Sequence, residues 1–180
     1  MIIKILRTLI VYYSPFTPLI FIALSIAISP WWSPLVNALS DLGHPRYISS
    51  AILFNFGLVF SGYLIAIQAT LTTRKLSIGE VVHLYILGIT LILVGTFNEA
   101  YTSVHYIVSV ILFITMLSYI TYVTIYYRRL WLTPCILAFI LAWYANMVAK
   151  VIEGIAIPEL ISILMTYTAY STTTLIRLRS

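Results

Sequence analysis

Charge is what this chain has least of. Only 8% of its 180 residues are Asp, Glu, Lys or Arg, against ~25% in soluble domains. A water-soluble fold needs a charged surface, so the deficit excludes one. Cysteine occurs once, as Cys135 inside an apolar run, which excludes an intrachain disulfide and a cysteine-ligated zinc or iron–sulfur centre. Glutamine also occurs once, at Gln68. With the richness in Ile and Tyr, that composition is archaeal-like and thermophile-like. No G-x-S-x-G elbow, P-loop or dinucleotide fingerprint is present. Paired histidines at H-x-x-x-H or H-E-x-x-H spacing, or on facing helices for a membrane haem, are also missing. His44, His105, Asp41 and Glu99 are nominally enough ligands for zinc, but nothing in their spacing brings two imidazoles together. No metal and no cofactor is expected.

What the chain has instead is apolar length. A helix needs about 20 apolar residues to cross a ~30 Å hydrocarbon core. Six runs qualify: 9–29, 47–71, 81–98, 104–127, 134–152 and 158–176. In lipid every backbone amide must be bonded internally, so runs of this length are helices. The expectation is an all-α, polytopic membrane protein: one integral membrane domain over 1–180, a bundle of six transmembrane helices with short loops. Consecutive helices are expected as antiparallel neighbours.

The few charges sort by side. Lys4 and Arg7 precede the first run, Arg74 and Lys75 follow the second, Arg128 and Arg129 follow the fourth, and Arg177 and Arg179 close the last. With six spans all of these fall on one side, the cytoplasmic one. Asp41, Glu99, Glu153 and Glu159 fall on the other, with Arg46 and Lys150, leaving Glu80 inside beside His83 as an ordinary surface pair. Five or seven spans would scramble this order. Both termini are therefore expected in the cytoplasm of a multi-pass plasma-membrane protein. The net charge of +5 follows from topology, so no nucleic-acid partner is implied. Lys4 and Arg7 before an apolar stretch imitate a signal peptide, but the stretch is long enough to span and is read as a retained helix. Pro15 and Pro18 are expected to kink it, Trp31 and Trp32 to anchor its outer end, and Tyr126, Tyr127 and Trp131 to form an inner anchor.

The most polar stretch is NALSDLGHP, residues 37–45. It supplies Asn37, Ser40, Asp41 and His44 to the first outer loop, with Arg46 just beyond. Asn55 lies about 12 Å below the start of the second helix at ~1.5 Å per residue. The second outer loop adds Asn98 and Glu99, and His105 opens the fourth helix with Ser103 as its N-cap. Asn146, Lys150 and Glu153 fall on one stripe of the fifth helix, the last two as an ion pair. Ionisable groups beside spans usually face a bundle interior or an aqueous cavity, so these corners could build an outward pocket. Plainer roles compete: Ser40 and Asp41 as turn caps, Asn55 as a bond between helices, and His105 as an interfacial hydrogen bonder. Gly57 and Gly62, and Gly88 and Gly95, allow close helix approach.

Ser40-Asp41-Leu42-Gly43 resembles the S-[ED]-L-G signature of the domain of unknown function 998 family. FNFGLVFSG at 54–62 is similar to that family's N-x-G-x-x-x-x-G stretch, matching at Asn55, Gly57 and Gly62. GTFNEAYTSVH at 95–105 resembles its G-x-F-P-x-[DE] ending and following histidine, matching at Gly95, Phe97, Glu99 and His105. Asn98 stands where that pattern has proline. The resemblance implies a six-helix bacterial or archaeal membrane protein and brings no activity.

Three functions compete. One is a ligand site of Ser40, Asp41, Asn55, Glu99 and His105 that binds or moves a lipid headgroup or small polar ligand. Another is an intramembrane, hydrolase-like enzyme acting on lipid, with His105 as base, Asp41 or Glu99 as its partner and Ser40 as nucleophile. The last is a structural subunit whose polar corners close the bundle. Membrane lipids are the expected partners, and an oligomeric assembly is compatible with all three.

Overall fold

The computed structural model describes residues 2–179 and is all-helical. Among the described residues five helices are long and apolar enough to cross a membrane: Ile2–Ala27, Ile48–Thr72, Ile78–Thr96, Ser103–Tyr126 and Leu130–Met147. A sixth helical run follows as Ala156–Ala169, Tyr170–Thr174 and Leu175–Arg179. The Tyr-Ser-Thr-Thr-Thr stretch at 170–174 makes it the less apolar one, and Tyr170, Thr173 and Thr174 are turned into the protein.

Local chemistry places the helix ends. The first helix tightens into a 3-10 turn at Ser14–Phe16, where Pro15 removes a backbone donor. Ser77 and Glu80 form a reciprocal capping box that starts the third helix. Pro18 and Pro134 fall in the first turns of the α-helical segments Thr17–Ala27 and Thr133–Met147, each following a 3-10 turn, where a missing N–H is harmless. The fourth helix starts differently from expectation. Thr102, not Ser103, precedes it, with φ 38° and no capping side chain. The fifth helix ends early, at Met147. Lys150 lies beyond it with φ 50°, and both it and Glu153 are exposed, so the expected three-residue stripe does not exist.

The first helix packs on the second, the second on the third, and the third on the fourth. The fourth then meets the sixth as well as the fifth, and the sixth returns to the first near the termini. Five helices thus form a ring, with the fifth outside it against the fourth and sixth. On the fifth helix only Leu132, Cys135 and Phe139 are buried. The tightest seam joins the second and third helices, because Gly62 faces Gly88. A Cβ on Gly88 would lie 2.7 Å from the Gly62 carbonyl oxygen.

The two ends of the bundle differ in charge. At the end bearing the termini, Arg7 Nη2 donates to the Leu71 carbonyl at 3.5 Å, Lys75 Nζ to the Leu178 carbonyl at 2.8 Å, and the Arg177 guanidinium lies 4.2 Å from the Tyr127 ring centre. The opposite end, called here the loop end, carries residues 28–47, 97–102 and 148–155.

Candidate functional site

At the loop end the longest connection folds across the bundle. Gly154 N donates to the Leu35 carbonyl at 2.9 Å and Ala156 N to the Asn37 carbonyl at 3.0 Å. Asn146 Nδ2 holds the loop before the sixth helix through the carbonyls of Ile152 and Gly154 at 3.1 and 2.8 Å. Leu39 N donates to Glu159 Oε2 at 2.6 Å. The first and third of these connections therefore meet above the ring.

Ser40–Gly43 forms a 3-10 turn within this cover. Asp41 Oδ2 accepts from Asn37 Nδ2 at 2.8 Å and from Ala38 N at 2.9 Å. It fixes the preceding turn, as an Asp caps orphan amides. Asn55 Nδ2 donates to the Gly43 carbonyl at 2.9 Å, and a Cβ on Gly43 would come within 2.5 Å of Asn55 Oδ1. Gly43 and Asn55 are thus a fitted pair. Gly95 packs on the Asn55 carbonyl from the other side, where a Cβ would lie 2.7 Å away.

Asp41 also meets Glu99. The two are lined up with Trp31, Asn37, His44, Arg46, Tyr47 and Thr102 around one cleft. Trp31 and Tyr47 stack with ring centres 3.6 Å apart, and His44 Nδ1 accepts from Arg46 N at 3.1 Å. Glu99 is pushed up to about 7, first by burial, then by its hydrogen bond to Asp41 and by that residue's charge. A bond between two carboxyls exists only while one of them holds a proton. Glu99 Oε2 is shielded from solvent and no donor reaches it. Thr102, a β-branched residue with positive φ, sits at the same cleft; such strain tends to gather at functional positions.

Of the five residues singled out in the sequence, two share this cleft: Asp41 and Glu99. Ser40 instead lines the space inside the ring. Asn55 is engaged by the turn. His105 is buried, with Nδ1 2.7 Å from the Phe97 carbonyl oxygen and Nε2 3.3 Å from Ser109 Oγ. It ties the end of the third helix to the start of the fourth, and neither carboxylate is its hydrogen-bond partner. Among the described residues no three His, Cys, Asp or Glu side chains gather as a metal site requires.

Sequence reading missed a second polar centre near the terminal end. Glu80 is not half of a surface pair. It is 0% exposed and accepts hydrogen bonds from Tyr127 OH and, at 2.5 Å, from Thr174 Oγ1. Thr174 in turn lies 2.6 Å from Tyr119 OH. His83 turns to Ser118 Oγ at 2.9 Å instead. The available signal was S-x-x-E at 77–80 as a capping box and the hydroxyl-rich 170–174 stretch. The π-helical turn there aims Thr174 inward, a common use of such turns at special sites.

The fold defines a helical bundle of membrane-length helices with a covered loop end and a carboxylate-lined cleft upon it. The sequence profile of the protein of unknown function DUF998 matches residues 14–176, and the chain belongs to that family. The Ser40-Asp41-Leu42-Gly43 turn, Asn55 and Gly95 that first suggested it are the residues that fit the first loop to the second and third helices. No curated protein and no solved structure matches the chain.

Proposed function

We propose that this chain is a multi-pass plasma-membrane protein, its termini cytoplasmic, that binds the polar head of a lipid or a small polar solute at the Asp41–Glu99 cleft. The gathering of Arg7, Lys75 and Arg177 at the terminal end supports the orientation, by the bias of basic residues toward the cytoplasm. The observation that carries the binding reading is the Glu99 carboxyl. It is half-buried, it lies against a second carboxyl, and its Oε2 lacks a donor. A proton or a cationic donor, such as an ammonium head, supplies what the pair lacks. The stacked Trp31–Tyr47 rings beside it suit a cationic head as well.

The test is thermal unfolding of the purified chain in detergent with added phosphatidylethanolamine or phosphatidylglycerol. The reading expects the amine-headed lipid to raise the midpoint, and Glu99→Gln and Asp41→Asn to abolish the rise. Equal response to both lipids, or a rise that survives both substitutions, overturns it. One observation favours the structural alternative: Asp41, Asn55 and His105 each make internal hydrogen bonds. Under that reading neither lipid head shifts the midpoint, and Asp41→Asn lowers it in every lipid. The enzyme reading lacks its partners, because the ring nitrogens of His105 meet the Phe97 carbonyl and Ser109 Oγ and not Asp41, Glu99 or Ser40.

A further inference from the structure

The ring of five helices surrounds a partly open cavity of ≈ 110 Å³. A single water needs roughly 10–15 Å³ on the same scale, and packed interiors leave few voids larger than that. Its wall comes from the first, second, third, fourth and sixth helices, with Leu39 and Ser40 of the first loop as its lid. No described residue of the fifth helix lines it. It reaches from Phe54 to Ile65 on the second helix and from Glu159 to Tyr170 on the sixth. Each interval rises ~16 Å at ~1.5 Å per residue, about the depth of one leaflet of a ~30 Å hydrocarbon core.

The two ends of this slot are chemically opposite. Toward the terminal end the floor is made by tyrosine rings whose hydroxyls are drawn off elsewhere. Tyr119 OH bonds Thr174, Tyr170 OH bonds Gln68, and Tyr167 OH donates to the Pro15 carbonyl. The rings are left to the cavity as carbon surface. Along the middle the wall is Leu58, Leu87, Leu91, Leu112, Met116 and Ile163. Polar groups stand under the lid, where Ser40 and the 6%-exposed Glu159 line the slot. An apolar void of this kind excludes water and accepts apolar guests.

We infer that the cavity holds the hydrocarbon chain of a single-chain amphiphile with a small, uncharged hydrogen-bonding head, the class of a long-chain alcohol. The head lies at Ser40 and Glu159 and the methyl end against Tyr119 and Tyr170. An acidic head is disfavoured because Glu159 presents a carboxyl there. The chain enters from the bilayer between the first and sixth helices. Their terminal halves are closed by Phe16 against Tyr167 and Tyr170, with ring centres 5.3 and 6.1 Å apart. Thr17–Ala27 and Ala156–Ala169 share at most sparse backbone contact. This site uses other residues than the Asp41–Glu99 cleft and stands or falls separately from it.

The experiment is photolabelling of the full chain in detergent with a dodecanol analogue bearing a diazirine at its terminal carbon. Saturable labelling is expected on Met116, Tyr119 and Tyr170, competed by unlabelled dodecanol. Filling the slot with Leu91→Trp should reduce it about tenfold, whereas Leu137→Trp on the exposed face of the fifth helix should leave it unchanged. Leu112→Phe serves as a milder filler if the first variant does not fold, and competition on the unaltered chain decides the matter without either. The same diazirine on lauric acid should label about tenfold less. Equal labelling by the acid overturns the assigned head. Labelling that does not saturate, or that spreads over Leu137 and Leu141, overturns the site.

Discussion

Leu39 donates its backbone N–H to Oε2 of Glu159 across 2.6 Å, joining two residues 120 positions apart. One carboxyl on the last helix thereby pins the lid formed by the first loop. Two backbone bonds, Gly154 N to the Leu35 carbonyl and Ala156 N to the Asn37 carbonyl, join the same two parts of the chain beside it.

Removing that acceptor strands a buried amide. Glu159→Leu should lower stability by ~1–3 kcal/mol, the penalty of an unsatisfied buried donor. Glu159→Gln keeps an acceptor oxygen and should lose less than half as much. Unfolding midpoints of the two variants in one detergent compare them directly.

The glycine seam should tolerate nothing larger. At Gly88 an added Cβ meets the Gly62 carbonyl oxygen at 2.7 Å, and backbone on both sides cannot step aside. Gly88→Ala should destabilise by ~1–3 kcal/mol, the usual range for overpacking. Gly79→Ala meets only the far end of the Tyr122 ring and should be milder. A reversal of that order in thermal unfolding would count against the seam.

Glu80 anchors the other end. Tyr127 and Thr174 both donate to it, and Ser77 N does so at 3.4 Å. Glu80→Ala leaves these donors without their acceptor, with an expected loss of at least ~2 kcal/mol. Thr174→Val removes one donor and should be the smaller change. The pair can be ranked by urea or heat in the same micelle.

Stability should depend on pH through Glu99. The unfolded chain releases this proton near 4.5 and the folded one near 7. Between those values the folded state binds more protons, so stability falls as pH rises through the window. Glu99→Gln should flatten that slope. Asp41→Asn should weaken it without abolishing it, since burial is the larger cause and remains. Midpoints recorded at intervals from pH 4.5 to 7.5 for the three chains give the answer.

The cleft was half legible in sequence. Asp41 and Glu99 were visible as ionisable groups at helix corners, and they do meet. Asn55 and His105 were equally visible, yet both serve as hydrogen bonders at helix junctions. A one-dimensional pattern marks polar groups near membrane boundaries without telling a site from a joint. Glu159 was counted as one more acid at the loop end, and only its long-range partner Leu39 shows its role.

Composition and spacing alone determined the all-helical class and the positions of the helices to within a few residues at most ends. The reason is local: an amide in hydrocarbon must find its partner within its own segment. Two ends depart further: the first helix begins at Ile2, ahead of the run that starts at 9, and the fifth stops at Met147 within a run that remains apolar to 149. Tertiary structure decided which helices surround the axis, that the fifth stands outside, and that Glu80 is a buried centre. Those outcomes depend on pairings such as Gly62 with Gly88, Glu80 with Thr174 and Glu159 with Leu39. Each joins residues far apart in the chain, and no local periodicity records which distant partner will satisfy a buried group.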